Sequence, residues 1–395
     1  MNESTTIHNG LEGIVAAETS LSMVDGSAGE LVIAGFPVAE LAMNATFEET
    51  AHLLWYGHLP DGQELTTFRA DLARRRDLPP VAYELLRAAA REKADSMDAL
   101  RMAAGTISLR ETSQGTDKRF CVDDEAARNL LAAFPTIVAA YWRILNDRPP
   151  VAPRAGLGHA ANFLYMLSGE IASDERVRGL ETYLNTVVDH GLNASTFTAR
   201  VIASTNSDLV SAIVGAVGAL KGPLHGGAPG PALDMVFKIG TAARAEEVLR
   251  KKIESGEKLM GFGHRVYKVR DPRADVLAAA AERMFTRGGE MALYDLARAV
   301  EAVALRLLEE YKPGRKLQTN VEFYTALLLH GLDLEVPLFT PTFAISRVAG
   351  WIAHCFEQRR ANRIIRPQSV YRGPRDLRWG AAKLYPEPAG AAERA

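Results

Sequence analysis

Three short segments carry residue types that can do chemistry as well as fold. The first runs from Lys221 to Gly230 (KGPLHGGAPG) and sets His225 between a helix stop and a run of glycines. Glycines permit backbone shapes that bring amide groups close to a bound molecule, so the loop suits ligand contact. The second, Met260 to Arg273 (MGFGHRVYKVRDPR), has two glycines before His264, followed by Arg265, Lys268, Arg270 and Arg273. Asp271-Pro272 reads as an N-cap with proline at the first helical position. The basic side chains therefore crowd a helix entry, where carboxylate or phosphate groups are favoured. The third, Thr319 to Tyr324 (TNVEFY), places Glu322 in the first turn behind Asn320 as N-cap, where the helix dipole favours an acid. Each segment alone also has a plainer reading. These are an interhelical turn with an exposed histidine, a solvated charge run, and a glutamate serving only its helix. The second segment is not a dinucleotide fingerprint, because Val266 holds the third glycine position and no strand precedes it.

The elements that must position these segments read as helix after helix. Thr46 to Glu49 and Asp61 to Glu64 are capping-box patterns, each opening an amphipathic run. Leu209, Ile213, Val217 and Leu220 share one helical face, and Gly215, Ala216, Gly218 and Ala219 would let a second helix approach closely. Helices are expected over about 291–311 and from Thr340-Pro341 to about Gln358. The only β signal is a hairpin, Gly13–Ser22 with Glu30–Gly35, turning at Asp25-Gly26. Asn146–Gly158 reads as a linker and Gly373–Ala395 as an irregular arm with Trp379 and Tyr385 as anchors. No strand–helix alternation and no repeat of 20–50 residues is visible, so a parallel sheet and a solenoid are both disfavoured.

Composition sets outer limits. With 395 residues, 47% hydrophobic and 24% charged, the chain has the make-up of a soluble globular protein of two or three domains. A formal net charge of -2 provides no broad basic field for nucleic acid or an anionic membrane. Cys121 and Cys355 fit no zinc or redox spacing, which suits a reducing compartment. The opening MNESTTIHNG lacks a charged stretch followed by an apolar core, so no signal peptide is expected. His52, His58, His159, His330 and His354 lie in apolar helical contexts or at helix ends and read as structural. His225 and His264 have no cysteine partners, so no metal site is expected.

Together the three segments carry a resemblance. GPLHGGAP, GFGHRVYKVRDPR and NVEFYTALLL, in this order and at these separations, resemble the citrate synthase family, which includes the 2-methylcitrate synthases. The opening GLEGIVAAETSLSMVDG, Asp189–Arg200 (DHGLNASTFTAR) and Leu338–Gln358 (LFTPTFAISRVAGWIAHCFEQ) extend the likeness over nearly the whole chain.

The resemblance implies a mainly α, two-domain helical fold. Residues 1–224 and 327–395 would form a large domain and 225–326 a small one, with the active-site cleft between them. It implies condensation of acetyl-CoA with oxaloacetate, with Glu322 as base, His225 donating to the thioester oxygen and His264 to the keto oxygen. His190, Arg273, Arg347 and Arg366 would hold oxaloacetate, and Arg366 would reach in from the other subunit of a homodimer. Lys268 would meet coenzyme A, with Arg315 or Lys316 as looser contacts. No permanently bound cofactor is implied; acetyl-CoA is a co-substrate. The alternatives are propionyl-CoA as acyl donor, and a catalytically weak acyl-CoA- or dicarboxylate-binding paralogue. One departure stands out. The family's usual Asp is Glu322 here, one methylene longer, and misplacing a catalytic group by about 1 Å can cost roughly a hundredfold in rate.

Overall fold

The computed structural model describes residues 7–111, 121–226, 229–264, 266–288 and 291–375. Helices dominate, and the capping signals place several of them correctly. Thr46 and Asp61 both form complete capping boxes, opening helices Phe47–Tyr56 and Gly62–Arg74. Met291–Tyr311 is helical as expected. The late helix runs Phe339–Arg360, slightly longer at both ends than its sequence signals. Asn146–Gly158 has no regular structure, as a linker should. The proposed C-terminal arm, with Trp379 and Tyr385, lies outside the described residues from 376 onward. No helix among the described residues is long and apolar enough to cross a membrane.

The β element differs in detail from expectation. Strand β1 is only Ser22–Asp25, pairing antiparallel with β2, Glu30–Ile33, in the register Ser22↔Ile33 to Asp25↔Glu30. A third strand, β3 (Phe36–Pro37), completes a small sheet. Residues 14–19 are not strand, despite their β-branched residues, since no partner strand among the described residues lies opposite them. The turn is longer than two residues: the Asp25 carboxylate accepts from the N–H groups of Ser27 and Ala28, and Gly29 closes it at φ 73.

Helix Phe339–Arg360 is the central strut. Every residue from Ala344 to Cys355 is buried, so the helix is covered all round. It packs against Phe47–Tyr56, Cys121–Leu145, Asp174–Val187, Ala194–Ser204 and Leu209–Leu220. Gly350 lets it touch the end of Asp174–Val187, where an added Cβ would lie 2.3 Å from the Val188 carbonyl oxygen. The small-residue face of Leu209–Leu220 does what its sequence suggests: a Cβ on Gly215 would meet Ile202 of Ala194–Ser204 at 2.3 Å.

A second group of helices, Pro229–Ile239, Ala245–Glu254, Pro272–Gly288, Met291–Tyr311 and Val321–Gly331, packs mainly on itself. It meets the first group where Pro272–Gly288 lies along Asp174–Val187. The sequence boundary at 326 would divide helix Val321–Gly331, which packs as one piece with Pro272–Gly288.

Candidate active site

His264 and Glu322 are joined by backbone. Gly261 and Gly263 adopt φ of 87 and 85, a region favourable to glycine, and this lets the loop pair with the residues leading into helix Val321–Gly331. Gly263 N–H donates to the Gln318 carbonyl at 2.7 Å, and Asn320 N–H donates to Gly261 at 3.0 Å. Asn320 then works in two directions. Its Oδ1 accepts from Glu322 N–H at 3.0 Å as the N-cap, and its Nδ2 donates to the Gly263 carbonyl at 2.8 Å. The hairpin braces the same loop. The Gly26 carbonyl accepts from Lys268 N–H at 2.8 Å, and a Cβ on Gly26 would lie 2.3 Å from the Val266 carbonyl oxygen.

The hydrogen bonds assign the His264 tautomer. Nδ1 faces the N–H groups of Val266 and Tyr267, both at 3.0 Å, and a backbone N–H can only donate. Nδ1 therefore accepts, and Nε2 of the neutral ring carries the proton. Arg273 Nη2 lies 3.3 Å from Nε2, which is a donor facing a donor. Burial, reinforced by the Arg273 charge, pulls His264 down to about 4. Arg273 itself is fork-paired with Asp271, Nε to Oδ1 at 3.0 Å and Nη2 to Oδ2 at 2.8 Å. Glu322 moves the other way: burial raises it to about 7, Arg273 opposes the rise and Asp271 adds to it.

His225 sits against the start of helix Ala194–Ser204. Gly226 allows the close approach, since a Cβ there would lie 2.5 Å from the Leu220 carbonyl oxygen. His225 Nε2 faces Ser195 Oγ at 2.8 Å and Ser195 N–H at 3.4 Å. The N–H again dictates the roles, so Nε2 accepts and Nδ1 carries the proton. Trp351 Nε1–H donates to Ser195 Oγ at 3.1 Å and fixes the serine. Burial, with Arg347 next, lowers His225 to about 4. Both imidazoles are thus neutral at pH 7.

His190 is set by its neighbour. Buried Asp189 pairs with His354 Nε2 at 3.1 Å and accepts from Ser22 Oγ, and Ser22 Oγ accepts from Gly191 N–H at 2.8 Å. His190 Nε2 contacts the Tyr267 hydroxyl at 3.1 Å. Its pKa falls well below the ordinary value through burial and then the Arg273 charge.

Arg347 is a second buried guanidinium lining the same cleft, 1% exposed on the central helix. Its Nε donates to the Val187 carbonyl at 2.7 Å, and the group lies 4.7 Å over the Phe343 ring. Burial lowers it to about 10. Among the described residues it has no carboxylate in ion-pair contact, so its outer nitrogens remain available to an anion.

These residues line one cleft of about 1000 Å³, which brings together His190, His225, His264, Arg273, Glu322 and Arg347. Arg315 lines it too, with Lys258 and Lys312, two cations the sequence reading passed over. Exposed lysines are common, so nothing in the sequence marked them. Tyr267, Ser195 and Trp351 were also missed as second-tier contacts, although Tyr267 stood inside the signature loop. Two expected coenzyme A contacts lie elsewhere. Lys268 and Lys316 are exposed and do not line the cleft. The loop spends its Lys268 N–H on the hairpin, and Lys316 sits in a left-handed turn at φ 48. Arg366 is exposed on the extended segment after Arg360 and is absent from this chain's cleft. Arg270 is claimed by Glu301 at 2.7 Å and by Asp275, so it serves the fold, and Arg265 lies outside the described residues.

Residues 10–368 match the family described as citrate synthase, C-terminal domain. The chain belongs to the citrate synthase family. It is 40% identical to the citrate synthase of Haloferax volcanii, over 95% of this chain and 98% of that one. It is 38% identical to the 2-methylcitrate synthase of Mycobacterium tuberculosis, over 94% and 92%. A crystallised ternary complex of Thermoplasma acidophilum citrate synthase with carboxymethyl coenzyme A and oxaloacetate has the same fold. Its TM-score is 0.85 at 31% identity, covering 95% of this chain and 98% of that one. Citrate synthase family membership makes this chain an acyl-CoA-condensing enzyme with the mainly helical architecture expected.

Proposed function

We propose that this enzyme condenses acetyl-CoA with oxaloacetate and water to give citrate and CoA, the entry reaction of the tricarboxylic acid cycle. The observation that carries the reading is one cleft holding a carboxyl raised to about 7 beside two neutral imidazoles of opposite tautomer. Glu322 as carboxylate takes a proton from the acetyl methyl group. His225 Nδ1–H donates to the thioester oxygen and stabilises the enol. The enol carbon attacks the oxaloacetate ketone, whose oxygen takes the proton from His264 Nε2. Water then cleaves the citryl thioester, releasing CoA. Arg347, with its outer nitrogens open, and Arg273, oriented by Asp271, are the carboxylate readers, with His190 beside them. Lys258, Lys312 and Arg315 at the rim are the cations suited to CoA phosphates.

The remaining assignments share that footing. Residues 225–326, with the rest of helix Val321–Gly331, form the small domain and close over the cleft when oxaloacetate binds. The enzyme is a cytoplasmic homodimer in which Arg366 of the partner subunit completes each site. Mixing Arg366→Ala with Glu322→Ala subunits should restore activity in heterodimers, and no recovery would remove the shared site.

The test of the main reading is oxaloacetate-dependent release of CoA thiol, with acetyl-CoA and propionyl-CoA compared side by side. Faster turnover of acetyl-CoA is expected. A preference for propionyl-CoA would support the second reading, which the 38%-identical 2-methylcitrate synthase keeps in play. Binding of both ligands without turnover would identify a non-catalytic paralogue.

A further inference from the structure

Read from sequence alone, His52 and His58 are structural, yet the fold brings them to one point with Glu64. His52 lies on helix Phe47–Tyr56, His58 on the loop that follows, and Glu64 in the first turn of helix Gly62–Arg74. One ligand-type atom from each lies within 4.8 Å of the other two. The three line a groove of about 440 Å³ that is separate from the catalytic cleft.

The imidazole hydrogen bonds orient both rings toward one point. His52 Nδ1 faces the His58 carbonyl at 3.2 Å, and a carbonyl can only accept, so Nδ1 carries the proton and Nε2 a lone pair. His52 is 6% exposed, its ring is held edge-on by Phe68 and His58, and Nε2 has no hydrogen bond among the described residues. His58 Nδ1 faces the Tyr56 carbonyl at 3.4 Å and its Nε2 faces Glu64 Oε1 at 3.3 Å; both neighbours accept, so without a metal the protonated ring donates to each, and an ion bound at Nε2 takes the place of that proton. The other Glu64 oxygen accepts from Asp61 N–H at 2.9 Å, which fixes the carboxylate. A backbone carbonyl on the far nitrogen is how a ligating histidine is normally oriented. Nitrogen and oxygen ligands at 2.0–2.2 Å from a tetrahedral ion lie about 3.4 Å apart. The His58–Glu64 separation already meets this, and small shifts of these two exposed side chains would shorten the two edges to His52 from at most 4.8 Å. Asp61 adds negative charge, whereas Asp71 is already paired with Arg74, Arg75 and Arg128.

We propose that His52, His58 and Glu64 form a binding site for a divalent first-row transition ion, represented by zinc. Two imidazoles and one carboxylate suit that class and leave a position for water. Such an ion clamps helix Phe47–Tyr56 to helix Gly62–Arg74 across the intervening loop. Its role is structural, so it stands or falls independently of the condensing activity.

Tag-free full-length protein, stripped with a chelator and dialysed, would be titrated with zinc by calorimetry and with cobalt by visible absorption. One equivalent per chain is expected, with tetrahedral cobalt bands and a zinc-dependent rise in melting midpoint. His58→Ala and Glu64→Gln should each weaken binding by more than about tenfold. Both residues are exposed, and glutamine still serves the capping box, so these variants keep the fold and turnover even if His52→Ala does not. Absence of stoichiometric binding, or equal binding by parent and both variants, would overturn the site.

Discussion

Replacing Glu322 with glutamine should stabilise the protein at pH 8 while abolishing turnover. The ordinary value for this carboxyl is 4.5, and burial raises it to about 7. The folded state therefore holds the proton to higher pH than the unfolded chain does. Stability is lost as pH rises from the unfolded value through about 7, because ionisation is easier once the site is unfolded. The difference of about 2.5 pH units corresponds to at most about 3.4 kcal/mol. Solvent reaching the half-buried side chain reduces this to about 1–2 kcal/mol. Glutamine has the same shape and no charge, and it inherits no hydrogen bond to break, since the Glu322 side chain makes none among the described residues. Urea unfolding of both proteins at pH 8 and pH 5, at one protein concentration, isolates the term, because the other ionisable groups cancel. The advantage of the variant should shrink to roughly half of its pH 8 value at pH 5. A variant less stable at pH 8, or an advantage that ignores pH, would refute the claim that burial raises Glu322. Retained turnover would refute its role as base.

Other outcomes follow from the same geometry. Because base action needs the carboxylate and both imidazoles are neutral well below pH 6, kcat/KM should rise about tenfold per pH unit up to about 7 and then level. A limb with twice that slope between pH 5 and 7 would mean a histidine titrates as well. Gly26→Ala should cut turnover by about a hundredfold with little change in melting midpoint, since its Cβ would press on the Val266 carbonyl 2.3 Å away and displace the His264 loop. Unchanged turnover would show that the hairpin does not brace the site. Tyr267→Phe removes the hydroxyl 3.1 Å from His190 Nε2, and should raise the KM for oxaloacetate about threefold to tenfold with kcat nearly constant. A fall in kcat alone would place Tyr267 in the chemistry instead.

Much of this protein is legible in its chain because the signals are local. Capping at Thr46, Asp61 and Asn320 depends on side chains reaching backbone a few residues away, and all three appear as read. The glycines around His264 also act locally, by allowing φ values that other residues resist. The extent of β1 was misjudged because β-branched residues record a preference, whereas a strand exists only where a partner lies opposite.

By itself the sequence determined the helical architecture, the family, and the residue types available for catalysis. The tertiary structure decided what those residues became. Glu322 was the uncertain member of the set, and only burial, with Asp271 adding and Arg273 opposing, lifts this first-turn carboxyl to about 7. The two histidines become a matched pair because unrelated backbone N–H groups, one at a helix start and two in a loop, choose opposite nitrogens for their protons. Lys268 and Lys258 look alike in the chain, yet only Lys258 faces the cleft. Desolvation, tautomer and facing depend on neighbours distant in sequence, so they arise only when the chain has folded.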